Sequence, residues 1–401
     1  MTDSKLNVGD LIEVTTERLA YGGEAVARHD GLAVFIPLAA PREKLRVRIT
    51  ERKKNFARAI VENVLEPSQS RREPPCRYFG ECGGCQLQHL SYEAQLKSKV
   101  GFVRDALERV ARIDWPHDIK MINGAEFGYR SRTQVKIDWR ARSIGFSRAR
   151  SNTVCDIETC PILVPVLDKA LRSLRGVVST ALEQKNGGLL YPTQIEMGAG
   201  DSTVSFEPNL KGLPSGALRQ TVHETTYSFS PSTFFQGNAG LLAALIDEAI
   251  GRESGEVALD LYAGVGLFAI QLASRFNRVI AVEADRATAS FAVGNIAANR
   301  LTNIEFHNRT VESWLKNYIE TNPSPPDFLL LDPPRRGASE AMTHTAALEP
   351  ARITYVSCDP TTLARDLRTL VDSGYEIARL TAIDLFPQTY HIETVVALVR
   401  R

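Results

Sequence analysis

Apolar and polar positions follow different rhythms in successive parts of this 401-residue chain. Before residue 66 the runs are short and alternate with period two, at 11–14, 24–27, 32–36, 44–49 and 57–61. Gly22-Gly23, Asp30-Gly31 and Pro41 punctuate them, so strands joined by tight turns are expected. Five short strands in about 60 residues predict a small closed barrel of the oligonucleotide-binding type. Leu45, Val47 and Ile49 alternate with Lys44, Arg46 and Arg48, predicting one face packed inward and a basic face free to meet phosphate. From Tyr92 to about residue 113 the rhythm becomes helical, with Leu96, Val100, Val103, Leu107 and Val110 three or four apart. Residues 120–230 mix strands such as 134–139 with helix and read as a central α+β domain. Beyond residue 257, strands at 257–262, 278–282, 303–306, 328–332 and 353–357 alternate with helices such as 268–275 and 286–299. The chain closes on strands at about 376–383 and 394–399. That alternation predicts a doubly wound α/β sheet with crossovers. The expected divisions are a barrel at 1–66, a central domain at 67–235 and an α/β domain at 236–401, with a polar, Pro-containing linker at 66–75.

The 43% apolar and 24% charged residues are those of an ordinary globular protein. No apolar run approaches the roughly 20 residues of a membrane span. Residues 1–5 lack the apolar segment of a secretory signal, so a cytoplasmic protein is expected. The net charge of +1 implies no polyanion partner by itself. Locally, residues 42–58 hold eight Lys/Arg against two Glu, and residues 130–150 hold seven against Asp138. Two such runs in different domains favour a nucleic-acid partner.

The chemistry gathers at predicted strand ends, where open α/β sheets place their ligands. One strand enters Ala263-Gly264-Val265-Gly266-Leu267, and the next ends at Glu283, nineteen residues after Gly264. Glycines admit close backbone approach, and the acid accepts hydrogen bonds from ribose hydroxyls. Positions 267 and 269 are Leu and Ala, so the third glycine of a dinucleotide fingerprint is missing and an NAD site is the weaker reading. Asp332 ends another apolar strand. Cys358 follows residues 353–357 and precedes Asp359-Pro360, away from the other cysteines. It is a candidate nucleophile, with a buried core thiol as the alternative. If the last strand runs antiparallel, its start at Glu393 falls beside Cys358 and Asp332, where a carboxylate serves as a base. Cys76, Cys82 and Cys85 cluster, with Gly83-Gly84 letting two thiolates reach one site. Cys160 is the candidate fourth ligand, with Cys155 second. Zinc and an iron–sulfur cluster both remain open, and three near ligands with one remote favour the cluster.

Residues 19–27 resemble the signature of the TRAM domain, an RNA-binding barrel, and residues 260–266 resemble motif I of S-adenosylmethionine-dependent methyltransferases. Together with Phe234-Phe235-Gln236-Gly237-Asn238, Asp332-Pro333-Pro334-Arg335, Ser357-Cys358-Asp359-Pro360 and His391-Ile392-Glu393, the whole chain resembles the RNA uracil-C5 methyltransferase family, most closely its 23S ribosomal RNA branch. The resemblance implies a Rossmann-like catalytic domain using S-adenosylmethionine, with Cys358 as nucleophile and Glu393 as general base. It implies that Gln236, Tyr262, Glu283 and Asp332 line the cofactor and uracil site beside Gly264, with Thr310 near a further contact. It also implies a 4Fe–4S cluster on Cys76, Cys82, Cys85 and Cys160. Leu267 departs from an Asn common in the family, removing one polar cofactor contact. The implied partner is RNA, either 23S rRNA or, alternatively, the tRNA T-loop, and a monomer is expected. A non-catalytic RNA-binding assembly factor is the reading of a different class, against which Cys358, Asp332 and Glu393 together argue.

Overall fold

A computed structural model of the protein describes residues 6–183, 192–321 and 324–401. The expected barrel forms from strands Leu11–Leu19, Ala25–His29, Leu32–Ile36, Lys44–Arg52 and Phe56–Glu66, closed in the order first, second, third, fifth, fourth. Leu45, Val47 and Ile49 point into its core as the alternation requires. The outward basic row behaves differently. Lys44, Arg46 and Arg48 pair with Glu66 at 3.7 Å, Glu13 at 3.0 Å and Glu62 at 2.7 Å, all on adjacent strands. Cross-strand register thus neutralises the row that the sequence offered to phosphate, and each exposed pair adds little stability.

The middle of the chain forms an antiparallel sheet in the order Val204–Glu207, Gln194–Ala199, Arg132–Asp138, Ser143–Ser147, Val154–Asp156. The helix Pro165–Glu183 covers it, burying Leu167, Leu171, Leu174 and Val178 against Val135, Ile137, Ile195 and Met197. Those helical positions recur at four and three, a single stripe facing the sheet.

An eight-stranded sheet dominates the C-terminal part, in the order Ile304–Asn308, Phe276–Glu283, Gly255–Leu261, Phe328–Leu331, Arg352–Ser357, Glu393–Arg400, Tyr375–Ile383, Lys120–Ile122. The first five run parallel, and Glu393–Arg400 lies antiparallel between its two neighbours. Successive side chains supply two cores: Leu259, Leu261, Leu329 and Leu331 face one helical layer, while Ala258, Phe328 and Leu330 face the other.

Of the segments expected in the central domain, one joins this sheet and another packs against it. Strand Lys120–Ile122 pairs with Tyr375–Ile383, and Val103 and Leu107 of the preceding segment pack into the second core. The hairpin Leu218–Val222 and Thr225–Phe229 buries Leu218, Tyr227 and Phe229 in the first core. The α-helix covers Tyr92–Ala106, and a wider π turn follows over Leu107–Ala111, closed by Arg112 in the left-handed region at φ 54°. That change of pitch turns Val110 out to solvent. Within the helix, Gln95 and Lys99 are fully buried alongside Phe102 and Val103, with Leu96 and Val100 only partly covered.

Candidate active site

The parallel strands deliver their carboxyl ends to one edge of the sheet. Strand Gly255–Leu261 turns through Tyr262, at φ 63°, and Gly264, at φ 56°, before helix Leu267–Leu272 begins. A Cβ on Gly264 would meet no atom within 4 Å, so this backbone borders open space. Buried Asp260 accepts a hydrogen bond from the Ala269 amide at 2.8 Å and ties the helix to the strand beneath it. On the neighbouring strand, the Glu283 carboxylate accepts from the Gly264 amide at 3.0 Å and the Asp285 amide at 2.7 Å. Asp332 follows strand Phe328–Leu331 and accepts from Gln236 Nε2 at 3.4 Å. Cys358 follows strand Arg352–Ser357. The last strand pairs Ser357 with Thr394, so Glu393 stands opposite the end that carries Cys358.

Gln236, Tyr262, Gly264, Glu283, Thr310, Asp332, Cys358 and Glu393 all line one cavity of about 660 Å³. Leu267, where the family often has Asn, lines it too. Sequence reasoning missed Glu312 and Phe386 on the same wall. Glu312 accepts a 2.9 Å hydrogen bond from the Tyr262 hydroxyl, and its place at the start of a helix carries no local signal. The loop holding Gln236 is built by an arginine counted among the basic run. Arg132 donates to the carbonyls of Phe235 at 2.6 Å, Pro231 at 2.7 Å and Thr233. Burial holds its guanidinium down at about 10, still charged at neutral pH, and both its Nη groups are engaged by these carbonyls, which makes it scaffold rather than a free phosphate contact.

Glu283, Asp285, Glu312, Asp332 and Glu393 line the cavity against Arg335 and Arg336. Such a wall repels a pyrophosphate and suits a cationic ligand. Burial, then the charges of Glu393 and Asp332, pushes the Cys358 thiol up to about 12, with Arg335 opposing. Glu393 is 2% exposed, and burial followed by Asp332 raises its carboxyl well above the usual range. Among the described residues its Oε1 has no hydrogen-bond partner. Burial also raises Asp332, against the hydrogen bond from Gln236. A thiol, a buried carboxyl without a partner among the described residues and a carboxyl-rich wall therefore share one space.

Cys76, Cys82, Cys85 and Cys160 line a second cavity of about 340 Å³, with Arg130, Arg148 and Arg150 on its walls. Cys155 lies outside this lining, buried, its thiol 3.5 Å from Glu81 Oε1. Burial, opposed by the Gln88 hydrogen bond and reinforced by Cys160, Cys82 and Cys76, raises the Cys85 thiol to about 12. Among the described residues, no three His, Cys, Asp or Glu side chains already converge to hold a single metal ion.

Residues 215–401 match the model of a family described as tRNA (Uracil-5-)-methyltransferase, and residues 5–61 match the TRAM domain. The first match begins just before the hairpin that packs on the large sheet. The chain is 34% identical to the 23S rRNA (uracil(1939)-C(5))-methyltransferase RlmD of Salmonella typhi, covering 99% of this chain and 98% of that protein. An uncharacterized RNA methyltransferase of Aquifex aeolicus is 33% identical, with 96% and 98% covered. The structure of Pyrococcus abyssi tRNA (uracil-54, C5)-methyltransferase in complex with S-adenosyl-L-homocysteine has a TM-score of 0.73 at 23% identity. It covers 97% of this chain and 100% of that one, a likeness of fold.

Proposed function

The chain belongs to the S-adenosylmethionine-dependent RNA uracil-C5 methyltransferases, and from that premise we propose that it methylates a uridine of 23S rRNA through a covalent Cys358 adduct. Uracil C5 is too weak a nucleophile to take a methyl group from a sulfonium unaided. Addition of the Cys358 thiolate to C6 makes C5 enolate-like. C5 then takes the methyl, Glu393 removes the C5 proton, and the C6–S bond breaks to return the thiolate. The adduct divides one hard step into easier ones, and Glu393 supplies the general base. Gly264, Glu283, Tyr262, Gln236, Thr310 and Asp332 hold the methyl donor. The reactive form is the thiolate, which burial and then the carboxyls of Glu393 and Asp332 disfavour, and a bound cationic donor would oppose them. The target base leaves its stack to reach the cavity.

The register that sets Glu393 opposite Cys358 carries this reading. Cys358→Ala is expected to abolish methylation and adduct formation with 5-fluorouridine RNA, and Glu393→Gln to stall as a methylated covalent complex. An active Cys358→Ala enzyme would sink the assignment. The 23S choice rests on the curated relatives' substrate, and mapping 5-methyluridine in rRNA and tRNA of a deletion strain tests it against the T-loop uridine. No helix of the described residues is long and apolar enough to cross a membrane.

For the second cavity we assign Cys76, Cys82, Cys85 and Cys160 to a 4Fe–4S cluster. The four thiols line one cavity of about 340 Å³, and three near ligands with one remote favour a cluster over a single zinc ion. Methyl transfer moves no electron through these thiols, so the group would be structural or RNA-positioning, tying the 76–85 loop to Cys160. An anaerobic preparation with zinc and no sulfide would overturn it.

A further inference from the structure

The turn joining the first two barrel strands reaches the catalytic edge of the large sheet. Tyr21 donates its hydroxyl hydrogen to Asp359 Oδ2 at 3.1 Å, and Asp359 is the residue after Cys358. The other oxygen, Oδ1, caps helix Pro360–Asp372 by accepting from the Thr361 and Thr362 amides at 2.9 and 3.1 Å. Asp359 is thus held from both sides, by the helix it starts and by the barrel. The Tyr21 ring also packs edge-on against Tyr390 at 5.2 Å and Phe102 at 5.9 Å. Tyr390 in turn packs on His391 at 4.2 Å, two residues before Glu393.

The docking is close. A Cβ on Gly23, at φ 86°, would lie 3.1 Å from the Gln86 Cβ, 3.4 Å from Leu87 and 3.7 Å from the Tyr390 Cβ. Gln86 and Leu87, just past Cys85, both donate their amides to the Gln388 carbonyl at 3.0 Å. Barrel, Cys-rich loop and the segment leading to Glu393 therefore meet at one point. A tyrosine serving only to tether RNA would not need its hydroxyl on the carboxylate beside the thiol.

We propose that Tyr21 is a positioning residue of methyl transfer: through Asp359 it fixes the turn that carries Cys358, and through Tyr390 the approach to Glu393. The barrel then completes the catalytic centre as well as binding RNA. This rests on the covalent mechanism proposed above, and the test separates the two. Tyr21→Phe keeps the ring and deletes one hydrogen bond to a charged group, so adduct formation with 5-fluorouridine RNA is expected to slow by about tenfold. RNA affinity should stay within about twofold, the size expected when no phosphate contact is lost. Asp359→Asn retains an acceptor and the cap and should largely preserve the rate. In an Asp359→Ala background, Tyr21→Phe should have no further effect. Hydrogen exchange over residues 356–366 of the free protein, which needs no substrate, should accelerate in Tyr21→Phe. Unchanged exchange and adduct rate, or a loss confined to RNA affinity, overturns the proposal and leaves the mechanism standing. Absence of any adduct from the unaltered enzyme overturns the mechanism first.

Discussion

Lys99 is the sharpest test of how the N-terminal helix is joined to the catalytic loop. Its ammonium lies 2.5 Å from Asp384 Oδ1 and 2.9 Å from the Phe386 carbonyl, with both charged side chains fully buried. Asp384 and Phe386 begin the segment leading to Glu393, and Phe386 itself lines the active cavity. Lys99→Met keeps the apolar stem but leaves a buried carboxylate uncompensated, a change that costs about 3–5 kcal/mol. Replacing both partners, Lys99→Met with Asp384→Leu, removes the stranded charge and leaves mainly the orphaned carbonyl, worth about 1–3 kcal/mol. The double variant should therefore be more stable than either single one, with a coupling of about 2 kcal/mol or more. At about 1.2 °C per kcal/mol for 401 residues unfolding together, Lys99→Met should lower the thermal midpoint by about 4–6 °C. Scanning calorimetry of the four proteins completes the cycle. A single variant within about 1 kcal/mol of the parent, or a double variant as poor as the singles, would refute the argument from an unpaired buried charge.

Two more outcomes are expected. His89 is fully buried with Nε2 3.1 Å from the Ala39 carbonyl, and burial pushes its imidazole down from 6.5 to about 4. Below pH 6.5 the unfolded chain gains a proton that the folded one refuses until about pH 4. Stability should thus fall on acidification across that window by about 1.4 kcal/mol per pH unit, roughly 3 kcal/mol in all. Denaturant midpoints at pH 7 and 4.5 should show His89→Gln losing this part of the slope, and an identical slope would exclude His89 as its source. Cys160→Ser should lose most bound iron and sulfide while Cys155→Ser retains them, since only Cys160 lines the cavity. Metal analysis giving the reverse would move the fourth ligand to Cys155.

The sequence by itself determined the elements and the edge on which the chemistry sits. Period-two runs became the barrel, and strand–helix alternation became the parallel sheet. Because chemistry in such a sheet collects where strands end, Gly264, Glu283, Asp332 and Cys358 were legible as neighbours without any contact being known. Glu393 followed from one further condition, an antiparallel last strand, which the register of Ser357 with Thr394 meets.

Tertiary structure alone decided which charges are free and which elements are partners. Periodicity records whether a residue is buried, but not against what. The helix beginning at Tyr92 therefore read as central although Val103 packs on the catalytic sheet, and its apolar spacing gave no sign of Lys99, which is sealed over Asp384. Arg132 counted as a surface charge until three carbonyls of the cofactor-side loop closed on it. Lys44, Arg46 and Arg48 looked like a phosphate face until adjacent strands brought Glu66, Glu13 and Glu62 across from them. Tyr21 is the farthest case, 338 residues from the carboxylate it touches. Each is a long-range pairing of polar groups, set by how elements dock, and local sequence carries no term for it.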